Sequence, residues 1–122
     1  MNQEHIFFTA EKHIARIRIA DIMFIECKHP KVRIFCADDV WELRISLDQL
    51  QSKLPENMFV RIHRSYLVAL HHITLYINSI VYMGDFELPV QYGKVNEFKA
   101  ALNIINREPR NRSKFLSKYK KI

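Results

Sequence analysis

Apolar and polar residues alternate with a period of two through most of the first two-thirds of the chain, the spacing of strands with one covered face. In Ile14-Ala15-Arg16-Ile17-Arg18-Ile19, Arg16 and Arg18 share one face and Ile17 and Ile19 the other. Ile22–Cys27 and Val32–Ala37 flank His29-Pro30 and predict a hairpin. Its register would set Glu26 opposite Arg33 as a cross-strand pair, Cys27 opposite Val32 and Cys36 opposite Met23. Val40–Ile45 alternates again after a turn at Asp38-Asp39, with Trp41, Leu43 and Ile45 inward and Glu42 and Arg44 outward.

The period then lengthens. Leu47, Leu50 and Leu54 fall on one helical face, Ser46 with Gln49 three residues on has the form of a capping box, and Pro55 closes the segment. Strand-like runs return at Leu67–Leu70, Thr74–Ile77, Ile80–Met83 and Phe86–Val90, with turns at Asn78-Ser79 and Gly84-Asp85. From Lys94 to about Asn106 the pattern is helical, with Val95, Phe98, Leu102 and Ile105 on one face. The sum is a mainly β chain of antiparallel hairpins with one short internal helix, a loop after it, and a C-terminal helix.

A chain of 122 residues, 48% hydrophobic, fits one globular domain. The net charge of +6 points to an anionic partner, but its placement matters more. Residues 1–106 hold as many Lys and Arg as Asp and Glu. The excess lies in 107–122, where Arg107, Arg110, Arg112, Lys114, Lys118, Lys120 and Lys121 face Glu108 alone. The expected division is therefore a domain over 1–106 and a basic tail over 107–122. Any positive surface on the body has to be built locally. Cys27 and Cys36 make no disulfide framework and predict reduced thiols in a cytoplasmic protein. Met1–Glu4 is polar, which argues against a leader peptide. Residues 65–84 lack Asp, Glu, Lys and Arg, yet His71, His72, Asn78 and Ser79 interrupt them, so strands are expected and membrane insertion is not.

The densest chemistry is Arg61-Ile62-His63-Arg64-Ser65-Tyr66, where four side chains able to bond phosphates or base edges crowd into six residues. Around it, the order of elements resembles the LytTR family of bacterial DNA-binding domains. Ala20-Asp21-Ile22-Met23-Phe24-Ile25-Glu26 is similar to the family's "-DI-YIE-" strand, and Leu47–Leu54 with Pro55 to its "LKELE--LP" helix. Phe59-Val60-Arg61-Ile62-His63-Arg64-Ser65-Tyr66-Leu67-Val68 resembles its "F-RIHRSYIVN" core, and Glu87-Leu88-Pro89-Val90 its "-LPVSR" ending. The likeness covers residues 5–104.

The resemblance implies an elongated set of small, mostly antiparallel sheets whose loops enter successive major grooves. It also implies two-component response regulators as relatives, double-stranded DNA as partner, pairs of direct repeats as sites, and a homodimer on DNA as an open option. Carried onto this chain, it marks Lys28, His29 and Lys31 at the first loop. It marks His63, Arg64 and Ser65 at the second, with Arg64 reading bases, and Gln91 and Tyr92 at the third. Arg61, Lys94 and the tail would serve the phosphate backbone.

The family's Ser-Arg pair after Pro-Val is Gln91-Tyr92 here, which removes an arginine, while Gln91 could still pair with adenine N6 and N7. The receiver domain common in the family is absent from this sequence. No cofactor, metal or enzymatic activity is expected. His71 and His72 would point to opposite faces of a strand or sit in a turn, without a third ligand nearby. Two alternatives stay open: a protein-interaction module of a signalling system, and a small nuclease using His63.

Overall fold

The computed structural model describes residues 4–107. Along them run β1 (His5–Ala10), β2 (His13–Arg18), β3 (Ile22–Lys28), β4 (Lys31–Cys36), β5 (Val40–Leu43), α1 (Leu47–Gln51), β6 (Phe59–His63), β7 (Tyr66–Ala69), β8 (Leu75–Ile77), β9 (Ile80–Met83), β10 (Phe86–Pro89) and α2 (Val95–Ala101). The strands form three antiparallel sheets: a β1-β2 ribbon, a five-stranded sheet ordered β5-β4-β3-β7-β6, and a small sheet ordered β10-β9-β8. The architecture is mainly β, with a short internal helix and a C-terminal one.

The five-stranded sheet is covered on both faces. Ile25, Val32, Ile34 and Leu67 pack with Leu47, Leu50 and Leu54 of the α1 segment and with Ile17 of the ribbon. Phe24, Val60, Ile62 and Val68 pack on the other side with Val81, Met83 and Leu88 of the small sheet and with Phe98 of α2. Phe98 is fully buried, its ring 5.0 Å from that of Tyr76. Burying one such side chain contributes about 1.5–3 kcal/mol, enough to seat a seven-residue helix too short to be stable alone.

Two bulges re-aim side chains, and the alternation in the sequence does not show them. In β3 the register shifts between Ile22 and Phe24. Ile22 joins the α1-side core, while Met23 and Phe24 both turn to the other. Cys36 therefore pairs with Ile22 rather than Met23, whereas Cys27 does pair with Val32. The second bulge lies between Arg61 and His63 in β6.

Other expectations change as well. β1 has no alternating signature in Ile6-Phe7-Phe8; it is a strand because Ile6 pairs with Ile17 and Phe8 with Ala15, leaving Phe7 exposed. The segment over Arg61–Tyr66, expected as a loop, is a hairpin in which only Arg64 and Ser65 form the turn. Glu26 does lie opposite Arg33, but Arg33 bonds Glu42 on the next strand at 3.2 Å, and Glu26 accepts from the Tyr66 hydroxyl at 3.4 Å. His71 and His72 sit in a 3-10 turn, one of the two placements expected, and both direct Nε2 at the Ala20 carbonyl, at 3.3 and 2.9 Å. The last helix stops at Ala101, with Leu102 extended and Ile105 85% exposed. Asn103, Ile104, Ile105 and Asn106 are poor helix formers, and all four are exposed, so little burial offsets that. The tail positions from Glu108 onward lie outside the described residues.

Candidate nucleic-acid interface

Strand direction gathers the three expected loops at one end of the molecule. β7 begins where β3 ends, with Glu26 opposite Tyr66, so the β6–β7 turn lies beside the β3–β4 tip. The Cys27 amide donates to the Ser65 carbonyl at 2.8 Å and ties the first loop to the second. Beyond the outer edge of β6, the Gln91 amide donates to the Ile62 carbonyl at 2.7 Å. The Gln91 side-chain oxygen accepts from the Arg64 amide at 2.8 Å, tying the second loop to the third. Lys28–Lys31, His63–Ser65 and Gln91–Lys94 thus form one continuous end, although 27 positions separate Arg64 from Gln91.

Within it, the side chains divide by what already holds them. Lys28, His29, Arg64, Gln91 and Tyr92 are exposed, Tyr92 to 97%. His63 is half-buried against Tyr66, and its Nδ1 accepts from the Ser65 amide at 3.0 Å. That bond makes His63 a shaper of the turn, with Nε2 as its remaining polar atom. Burial, and the Glu26 carboxylate behind it, push the Tyr66 hydroxyl above the usual tyrosine range. Lys94 pairs with Glu97 at 3.8 Å. Lys31 and Arg33 both bond Glu42, which holds that carboxyl below the usual range.

Arg61, expected beside phosphate, is committed inside the protein. Nε donates to the His63 carbonyl at 3.1 Å and Nη2 to the Arg64 carbonyl at 2.9 Å. Nη1 donates to Asp48 at 2.9 Å and to Gln51 at 3.1 Å, both on α1. Four of the five guanidinium N–H donors are occupied, and the planar fork clamps the turn that carries Arg64 to the helix behind it.

Sequence patterning passed over Arg44. Val32 pairs with Leu43, and one step further along the ladder Arg44 falls beside Lys31. Together with His29, Lys31 and Arg61, it lines a cleft of about 340 Å³ between the hairpin tip and the start of α1. Only the β4–β5 register could have revealed it. At the opposite end of the sheet, Asp21 and Asp39 lie close enough to Cys36 that, after burial itself, they help push its thiol up to about 11. Among the described residues no three His, Cys, Asp or Glu side chains group to hold a metal, and no helix is long and apolar enough to cross a membrane.

The described residues thus form a β-scaffold that collects cationic and amide groups on tied strand connections. The LytTr DNA-binding domain profile matches residues 12–103, and the chain belongs to that family. It is 24% identical over 107 residues to the sensory transduction protein LytT of Enterococcus faecalis, covering 83% of this chain and 44% of that protein. It is 28% identical over 100 residues to LytT of Bacillus anthracis, with 77% and 41% covered. It is 29% identical over 93 residues to the transcriptional regulatory protein YpdB of Escherichia coli, with 70% and 38% covered. The chain thus spans less than half the length of these relatives. A solved LytTr DNA-binding domain from Bacillus cereus superposes with a TM-score of 0.70 at 20% identity, covering 83% of this chain and 98% of that one, and shares its fold.

Proposed function

We propose that this chain is a sequence-specific, double-stranded-DNA-binding domain of a bacterial transcriptional regulator, and that it inserts its three tied loops into the major groove. The observation that carries the reading is the joining of Lys28–Lys31, His63–Ser65 and Gln91–Lys94 by main-chain and amide hydrogen bonds into one cationic end. Family membership and regulator relatives such as YpdB support the same reading.

Arg64 is the base-reading residue, with Lys28, His29 and Tyr92 beside it. Lys31, Arg44 and Lys94 face phosphate, and Arg61, His63 and Ser65 position the turn. Binding as a homodimer on paired direct repeats is part of the proposal.

The test is selection from a random duplex pool, followed by titration of the selected duplex by fluorescence anisotropy. Arg64→Ala should weaken the selected site by about 1–3 kcal/mol and level the preference at one position. Unchanged affinity and preference would refute the assignment of that turn. Absence of any enriched sequence would favour a protein-interaction module instead.

A further inference from the structure

Gln91 stands where the sequence comparison suggested a glutamine free to pair with adenine, and its bonding in the structure argues otherwise. Its amide N–H donates to the Ile62 carbonyl at 2.7 Å, and its own carbonyl accepts from the Lys94 amide at 2.8 Å. Its side-chain Oε1 accepts from the Arg64 amide at 2.8 Å. The partner there is a main-chain N–H, which can only donate, so the atom facing it has to be the oxygen. The C–O and C–N bonds of a side-chain amide diverge. With Oε1 drawn in against the β6–β7 turn, Nε2 is the polar atom left to the exposed side, and it has no protein partner among the described residues. A side chain that ordinarily offers both an acceptor and a donor here offers a donor.

That difference selects a base. Pairing with adenine across the major-groove edge uses the amide oxygen to accept from N6–H₂ and the amide nitrogen to donate to N7. Guanine presents two adjacent acceptors, O6 and N7, and needs donors alone. Cytosine presents a donor, N4–H₂, which Nε2 cannot meet, and thymine presents one acceptor, O4, beside its methyl group, where guanine offers two to the two Nε2 hydrogens. We propose that Gln91 is a specificity-determining residue that reads guanine through Nε2, while its Oε1 sets the position of Arg64. This inference rests on the DNA-binding reading above. It also couples two contacts: the residue that reads one base holds the main chain of the residue that reads another.

Gln91→Glu tests it with nearly the same shape. One carboxylate oxygen can still accept from the Arg64 amide, while the atom at the Nε2 position becomes an acceptor. Duplex selection with the wild-type chain and with Gln91→Glu should give two site preferences that differ at one position, guanine for the wild type and cytosine for the variant. On the wild-type site, replacing that guanine by 7-deazaguanine, which lacks the N7 acceptor, should weaken binding, and replacing it by adenine should weaken it about tenfold. Inosine, which keeps O6 and N7, should bind as guanine does.

A wild-type preference for adenine at the position that Gln91→Glu alters would overturn the inference, because Oε1 would then have left Arg64 for the base, and a preference for thymine would overturn the assignment to guanine. Identical preferences for both proteins would overturn it too. In either case the DNA-binding reading stands, since a preferred site exists. If neither protein enriches any sequence, that reading itself fails and takes the inference with it. Thermal melting of both proteins verifies that the variant is folded.

Discussion

Removing the Arg61 guanidinium should weaken DNA binding without removing a phosphate contact. The informative substitution is Arg61→Met, which keeps the apolar stem and deletes the fork. Two bonds to the His63 and Arg64 carbonyls are lost, at 3.1 and 2.9 Å, from a side chain only 20% exposed. A charged donor in such a setting contributes about 1.5–3 kcal/mol per bond before non-additivity. The ion pair to Asp48 adds little, because that carboxylate is 87% exposed and exposed pairs contribute about 0–1 kcal/mol. Folding stability should therefore fall by roughly 2–4 kcal/mol.

The effect on binding is smaller, because the Cys27–Ser65 and Gln91–Arg64 bonds still hold the turn. Re-ordering about one residue's worth of backbone on binding costs roughly 1–2 kcal/mol, which is about 5–30-fold in affinity. Anisotropy titrations of the cognate duplex across a salt series measure both affinity and slope. The variant should bind more weakly at every salt concentration with its log–log slope unchanged. Lys94→Ala, by contrast, should flatten the slope by about 0.9. If Arg61→Met flattens the slope by that amount while its melting temperature stays put, the guanidinium lies on phosphate and the bracing role is wrong.

Three other outcomes follow from the structure. Phe98→Ala should cost about 3–5 kcal/mol in denaturant unfolding, because the ring is fully buried against Tyr76 and anchors α2 to the five-stranded and the small sheet; a loss under 1 kcal/mol would mean the helix is not held there. Glu42→Gln should release Lys31 and Arg33, tightening binding to cognate and random duplexes alike and steepening the salt slope by up to about 0.9 per cation that reaches a phosphate; a gain confined to the cognate site would count against this. The Cys36 thiol is raised from 9.0 to about 11 by burial and then by Asp21 and Asp39, so the folded state holds this proton more tightly than the unfolded one. Its contribution is fully present below pH 9 and is lost as pH climbs to about 11. The stability difference between the wild type and Cys36→Ala should shift against the wild type across that window, as measured by urea unfolding at stepped pH, and a constant difference would refute it.

Strands and the short helix were legible because each carries its own local signal. Trp41, Leu43 and Ile45 alternate with Glu42 and Arg44, and Ser46 and Gln49 form the capping box that their spacing announces. What stayed hidden depends on partners far away in sequence. The bulge in β3 adds a residue with no glycine or other mark at Met23, so the Cys36 register slipped by one. β1 is a strand only because β2 is there to pair with it. At the loops the residue types were visible but their commitments were not. Nothing in Arg61-Ile62-His63-Arg64 says that the first arginine faces α1 and the second faces solvent; the burial of Val60 and Ile62 on the opposite side of the sheet decides it.

That division bears on how such a domain can discriminate at all. At the loop end of the described body, Lys31 is met by Glu42 and Lys94 by Glu97, while Arg61 is turned inward. Among the described residues Lys28, Arg44 and Arg64 are left there without an acidic partner, and residues 1–106 are neutral in sum. Sequence-independent attraction scales with the number of phosphates neutralised, so on the proposed reading the body by itself should attract DNA of arbitrary sequence only weakly. On that reading affinity for a preferred site comes from base-edge contacts, and these fail when a donor is displaced by about an ångström. The loops are tied accordingly: Cys27 to Ser65, Ile62 to Gln91, Gln91 to Arg64, and Arg61 to the carbonyls of His63 and Arg64. In a domain built this way, loosening a tie reduces discrimination more than removing a surface charge does, and substitutions at the uncharged Gln91 should therefore alter site preference more than substitutions at Lys31.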